Sequence, residues 1–332
     1  MDNIGSPEIR AADPDRVDVT TTPIDIDSDR LGGVLHVRVG VAKPQFEAPQ
    51  STIIMPVAWS DSPEHRFQQE RSQLMADVTG GQVLTIGFPG MGGEYNDPHN
   101  QLSEKDLEEI RRGRLSTYAK GVWQALEQNN DELLLDGSGN RLPVGLWLNS
   151  LGTLVGSELL ATAPEGTTVS DVYFSESMAL RRMKTALLIG LFVSKSSHRF
   201  NEYKATNIGA KVKKAEVPLV RQAASQIESH YQSVKALAGG QQIPVLQEAI
   251  ASENSVITDD TLFHVVRAGE GLERPTDNER LIRFLNLSLS NRFGMKPNIR
   301  VQELAGEGHG YQDSLPVVQA LVDDLQATHL GD

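Results

Sequence analysis

The sequence predicts an α/β protein with a mostly parallel sheet, helices on both faces and a helical cap inserted late in the chain. Three observations lead there. Short apolar runs of strand length alternate with stretches of helical period, and strands that alternate with helices are joined in parallel. Several of the runs are apolar throughout, as strands covered on both faces are. With 332 residues, 39% of them apolar, the chain has the material for a large core.

Residues 1–30 are rich in Asp, Pro and Thr and are expected to form an extended or poorly ordered arm. The first part of the sheet core spans 31–177. There, residues 35–41 (LHVRVGV) alternate as a half-exposed strand does, whereas 52–58 and 83–88 read as buried strands. Ser103 with Asp106 resembles a capping box, and Leu107, Ile110, Leu115, Tyr118, Val122 and Leu126 mark one face of a single long helix. Val144–Asn149 is a short strand that passes across Ser150 into a helix at 151–161, and Val169–Ser175 is the next strand. Residues 178–249 interrupt the alternation with a mostly helical pattern, the expected cap. The second part of the core, 250–332, supplies strands at 262–268 and 299–304 and a final helix at 315–327.

Charge and composition exclude several classes. Lys and Arg number 31 against 44 Asp and Glu, a net charge of −13, which argues against a generally basic nucleic-acid binder. The absence of cysteine removes disulfides, thiolate metal sites and a Cys nucleophile. The first residues lack a basic segment followed by an apolar run, and the longest apolar stretch, 186–193, is too short to span a bilayer; a soluble, cytoplasmic protein is expected. Between Arg181 and Arg221 ten basic residues stand against two acidic ones, a local charge of +8. This window reads either as a solvated helical face that pairs with the acidic body or as a cap that attracts an anionic substrate or a lipid surface.

The most informative segment is Leu146-Trp147-Leu148-Asn149-Ser150-Leu151-Gly152, a buried strand delivering a serine at the turn into a helix. Such an elbow exposes the hydroxyl, and the helix N-terminus behind it favours developing negative charge. Read alone, Ser150 is equally a helix cap. In the usual G-x-S-x-G pattern small residues flank the serine; here Gly152 is kept and Leu148 replaces the first glycine. The second signal is Gly306-Glu307-Gly308-His309-Gly310, between the last strand and the final helix. In the chain order serine, acid, histidine, His309 accepts the Ser150 proton while a carboxylate orients and charge-stabilises the imidazole.

Other motifs carry less. Pro89-Gly90-Met91-Gly92-Gly93 invites a dinucleotide-binding reading, which fails because Tyr95 stands where G-x-G-x-x-G needs glycine. The eight histidines are scattered, with none at metal-ligand spacing, so no metal and no cofactor is expected.

At these residues the chain resembles the α/β-hydrolase fold superfamily, from about residue 35 to residue 325 with the cap excluded. The resemblance rests on order: strand, PGMGG turn, helix, serine elbow, strand, cap, strand, GEGHG. In that family the orienting acid usually follows the penultimate strand in a pattern like V-V-H-G-x-x-D-x-x-V-P; the corresponding run begins at Val265-Val266 and places Gly271 at the acid position. Some members carry the acid after the strand that follows the nucleophile helix, which here is Glu176. The resemblance therefore implies Glu176 as the acid and Glu270 as the alternative, with Glu273 and Asp277 further along the loop as surface charges. It also implies an oxyanion hole from the backbone N–H groups of Leu151 and Trp59. The expected activity is that of a serine hydrolase cleaving an ester or related acyl bond of a small molecule, apolar or anionic, through an acyl-enzyme. The alternative is a non-catalytic scaffold of the same fold that binds a small ligand or a protein partner, for which Leu148 and Gly271 are the grounds.

Overall fold

The computed structural model describes residues 17–28, 33–44, 48–58, 62–64, 66–88, 104–129, 133–175, 177, 184, 186, 238, 242–253, 255–270, 275–308 and 318–323. Among the described residues eight strands form one sheet: β1 (Val17–Ser28), β2 (Gly33–Pro44), β3 (Thr52–Pro56), β4 (Gln82–Ile86), β5 (Val144–Asn149), β6 (Val169–Ser175), β7 (Leu262–Glu270) and β8 (Ile299–Gly308). Their spatial order is β1-β2-β4-β3-β5-β6-β7-β8. The β1–β2 and β2–β4 pairs are antiparallel and all the others parallel.

This order places a topological switch point at the centre. From β3 the chain moves outward to β4, then crosses back to β5 on the other side of β3 and continues to β6. Loops leaving the carboxyl ends of β3 and β5 therefore diverge, and the crevice between them is where open α/β sheets bind ligands. The nucleophile candidate follows β5, and the expected oxyanion donor Trp59 lies shortly after β3 in the chain.

Six helices are named among the described residues: α1 (Arg66–Thr79), α2 (Glu104–Arg111), α3 (Ser116–Gln128), α4 (Gly152–Thr162), α5 (Gln242–Ala251) and α6 (Pro275–Phe293), and residues 318–323 are also helical. One face of the sheet, with Ile54, Leu84, Leu146, Leu148, Phe174 and Val265, packs against α3, α4, α5 and α6. The other face, with Met55, Val83, Trp147, Tyr173 and Val266, is covered by α1 and by residues 318–322. β5 is buried along its whole length, which explains its unbroken apolar run.

Two expectations are revised. The single long helix from Leu107 to Leu126 is two helices, α2 and α3, broken at Gly113. Gly113 takes a left-handed φ of 82°, and the N–H groups of Arg112 and Arg114 fold back onto Glu109 O at 2.9 and 3.0 Å, a C-terminal cap that stops α2. The sheet also takes in Val17–Ser28 as β1, a stretch the sequence reading leaves outside the core. Its two short alternations, Val17 with Val19 and Ile24 with Ile26, are strand-like, while its aspartates and Pro23 suit an edge. Of the expected cap, α5 and single positions are described; the basic window and the 186–193 run otherwise lie outside the described residues. No helix among the described residues is long and apolar enough to cross a membrane.

Candidate active site

Ser150 has φ 51°, and among the described residues it is the one non-glycine with a positive φ. A left-handed backbone at serine costs about 1–3 kcal/mol and persists only where the surroundings fix it. They do so from two sides. The Ser150 N–H donates to Ser175 O at 3.2 Å, extending the β5–β6 ladder past the strand, while Ser150 O accepts from the Thr153 N–H at 3.1 Å and the Thr153 hydroxyl at 2.6 Å. The elbow is thus clamped between the end of β6 and the first turn of α4. Among the described residues nothing accepts the Leu151 N–H, which belongs to the donors a helix N-terminus leaves open.

Close backbone approach sets the residue types around the serine. A β-carbon on Gly152 would lie 2.5 Å from the Pro56 carbonyl oxygen at the end of β3, so a larger residue would push α4 away from the strand. Leu148, the departure from the usual elbow, is fully buried beneath it. Its side chain fills the space above Gly156, where a β-carbon would sit 2.1 Å from Leu148 Cδ2. The missing glycine before the serine is matched by a glycine about one turn into the following helix.

Helix α4 is held at its far end as well. Glu158, fully buried, accepts from Arg114 Nε at 2.8 Å and from the Leu115 N–H at 2.8 Å, and Arg114 Nη2 reaches Glu248 on α5 at 2.9 Å. The hydrogen bond to Glu158 raises the Arg114 pKa. The Trp123 indole donates to Leu159 O at 3.0 Å. Together these bonds tie α3, α4 and α5 into one unit behind the serine.

At the neighbouring strand exit, Gly87 donates its N–H to Arg38 O at 2.8 Å and accepts from the Tyr118 hydroxyl at 2.6 Å, while Phe88 and Tyr118 pack edge-to-face at 5.1 Å. Burial pushes the Tyr118 pKa far above its ordinary value, with Asp106 adding to the rise. The Val57 N–H donates to Ile86 O at 3.0 Å and aligns the exit of β3 with that of β4.

The other site candidates divide by where they fall. His309, Glu176, Trp59, Gly271, Glu273, Asp277 and the PGMGG turn lie outside the described residues, except that Asp277 belongs to the backbone of α6. Glu176 follows the last residue of β6 in the chain, and His309 follows the last residue of β8. The backbone of Glu270 closes β7, paired with Gly308. Ser150, Leu151 and Gly152 come together as a strand-to-helix elbow. Among the described residues no group of three or more His, Asp or Glu side chains gathers to hold a metal. Gly156, the Tyr118–Gly87 hydrogen bond and the Arg114–Glu158 pair were missed by the sequence reading, and of these the Leu148–Gly156 match alone had a signal there, the displaced glycine of the elbow.

No family model matches the sequence, and no curated protein matches it. Solved structures do. A provisionally named lipase from Acinetobacter baumannii superposes with a TM-score of 0.56 at 13% identity, covering 94% of this chain and 93% of that one. The peroxisomal α/β-hydrolase Lpx1 from Saccharomyces cerevisiae gives 0.54 at 10% identity over 96% and 91%. An esterase from Pyrobaculum calidifontis gives 0.50 at 12% identity over 94% and 84%. With the strand order, the switch point and the serine elbow, these likenesses establish the α/β-hydrolase fold for this chain.

Proposed function

We propose that the protein is a cytoplasmic serine hydrolase that cleaves an ester or related acyl bond of a small molecule through an acyl-enzyme. The observation that carries the reading is Ser150 itself, held at φ 51° at the carboxyl end of β5 and in front of α4. A strained backbone at a sheet's ligand-binding edge is the mark of a group placed for reaction.

In this reading Ser150 Oγ attacks the carbonyl carbon as His309 takes its proton, forming a tetrahedral intermediate. The Leu151 and Trp59 N–H groups hold the oxyanion. His309 then returns the proton to the leaving group, and the C–O bond to it breaks. Water, deprotonated by the same imidazole, releases the acid and restores Ser150. Glu176 orients His309, with Glu270 as the alternative. Strand order is compatible with either carboxylate: β8 is three strands from β5, about 14 Å at ordinary strand spacing, and of the two strands between them β6 precedes Glu176 in the chain while β7 ends at Glu270.

Leu148, the first ground for a non-catalytic scaffold, loses its force because Gly156 accommodates it. The test is covalent labelling of the intact protein by a fluorophosphonate, beside Ser150→Ala, His309→Ala, Glu176→Gln and Glu270→Gln. Labelling that disappears in Ser150→Ala and falls in one carboxylate variant supports the mechanism and names the acid. A folded wild type that does not react overturns it.

A further inference from the structure

We infer that Gln242 is a specificity-determining residue whose buried carboxamide receives a hydrogen-bonding group, an amide or a hydroxyl, that the substrate carries beside the scissile acyl bond. The inference deepens the serine-hydrolase reading and rests on it, with Ser150 as the nucleophile.

Gln242 opens α5 and is fully buried. It shares a helix face with Ala238, one turn before it, and with Val245, Leu246 and Ala249 after it, all of them buried and apolar. Among the described residues of that stripe it alone is polar. Both ends of its amide, Oε1 and Nε2, are closed to solvent and find no hydrogen-bond partner among the described residues. An amide in that state costs more than an apolar side chain of the same size, so a stripe that only had to fill space would be better served by leucine or methionine. A donor and an acceptor kept open at such a position fit a partner that arrives with the substrate.

The helices set this amide at the level of the nucleophile elbow. Helix α4 leaves the carboxyl end of β5, and α5 packs beside it. The two run in the same direction, because Val256, shortly past the end of α5, accepts the Val169 N–H at 3.4 Å and so lies at the amino end of β6. Arg114 fixes their register by holding Glu158 on α4 and Glu248 on α5. Gly152 and Gln242 each lie six residues nearer the sheet's carboxyl edge, about 9 Å along the two helices. Packed helix axes stand about 8–10 Å apart, and a glutamine side chain spans a good part of that distance. The carboxamide is therefore within reach of the first turn of α4, the level at which the Leu151 N–H opens, and a substrate group a few bonds from the acyl carbon on Ser150 can meet it.

The test compares labelling rate constants of wild type and Gln242→Met with fluorophosphonates of equal chain length, one all-alkyl and two with an in-chain amide placed two or four bonds from phosphorus. Unfolding midpoints are measured in parallel. Gln242→Met keeps the length of the side chain and removes both hydrogen-bonding groups. The amide-to-alkyl ratio of rate constants is expected to fall about tenfold in the variant for at least one amide probe, while the all-alkyl probe labels both proteins alike within about twofold. The unfolding midpoint is expected to hold or rise, because a buried amide without a partner is gone. Should Gln242→Met fold poorly, Gln242→Asn, which keeps the amide and withdraws it by one carbon, is expected to lower the same ratio. An unchanged ratio overturns the inference and leaves the hydrolase reading standing, as does a lowered midpoint, which would show that the amide already has a partner within the fold. A wild type that none of the three probes labels overturns the inference together with the reading beneath it.

Discussion

Leu148 and Gly156 occupy complementary space: the leucine methyl Cδ2 lies 2.1 Å from where a β-carbon on Gly156 would stand. The pair joins the strand before the nucleophile to the helix after it. Gly156→Ala is therefore expected to destabilise by about 1–3 kcal/mol through overpacking, and Leu148→Ala by about 2–5 kcal/mol through the cavity it leaves. The double variant should lose less than the sum, because the new methyl fills part of the cavity. Urea unfolding of the four proteins measures this, and strict additivity would show that the two side chains do not share the space.

Arg114 faces two carboxylates of unequal standing. Glu158 is fully buried and Glu248 is 56% exposed. Removing the guanidinium in Arg114→Met strands a buried charge, an expected cost of about 3–5 kcal/mol. Glu248→Gln removes a solvated partner and should change stability by less than about 1 kcal/mol. Chemical denaturation of both variants tests the difference, and equal effects would mean that the buried pair contributes nothing beyond the surface one.

Tyr118 makes stability depend on alkaline pH. Its pKa is raised in the folded protein above the ordinary 10.0, so above that pH the unfolded chain loses a proton that the native chain keeps. The native state then binds more protons than the unfolded state, and its stability falls as pH rises through this range. Below pH 10 the contribution is fully present. Tyr118→Phe lacks this dependence, and between pH 9.5 and 11 its unfolding free energy should decline less steeply than that of wild type. It should also be less stable at pH 7 by about 1–3 kcal/mol, because the buried Gly87 carbonyl loses its donor. Parallel slopes for the two proteins would assign the alkaline loss to other groups.

Much of the sheet was legible because its strands are buried on both faces. Val144–Asn149 is apolar or small up to its last residue, and Val169–Ser175 is marked by Val169, Val172, Tyr173 and Phe174 although Ser170 and Asp171 are half-buried. Helix α1 was not legible because its covered side carries Gln68, Arg71 and Ser72 among the apolar residues; Ser72 bonds to Thr85 at 2.9 Å instead of presenting a methyl. Helix α6 does carry Leu281, Leu285 and Leu289 at four-residue spacing on its buried face, a signal that the sequence holds openly. The break at Gly113 was hidden because the apolar positions on either side stay in phase with one helix. At the site, Ser150 was legible from its place between strand and helix. The contacts that hold it were not, since Glu158 with Arg114 and Asn149 with Ser175 join residues far apart in the chain and have no local pattern.

The strain at Ser150 gives a prediction that separates its backbone from its hydroxyl. A left-handed φ opposes any residue with a β-carbon by about 1–2 kcal/mol, and glycine escapes this penalty while giving up about 0.4–1 kcal/mol to a freer unfolded chain. Ser150→Ala removes the hydroxyl and keeps the β-carbon, so it retains the strain. Ser150→Gly removes both and should be the more stable of the two by about 0.5–1 kcal/mol, although neither can react with a fluorophosphonate. Thermal and urea unfolding of the pair reads this directly. Equal stability, or a more stable alanine variant, would mean that the φ of 51° is not strained in this setting, and the elbow would lose the feature that singles it out.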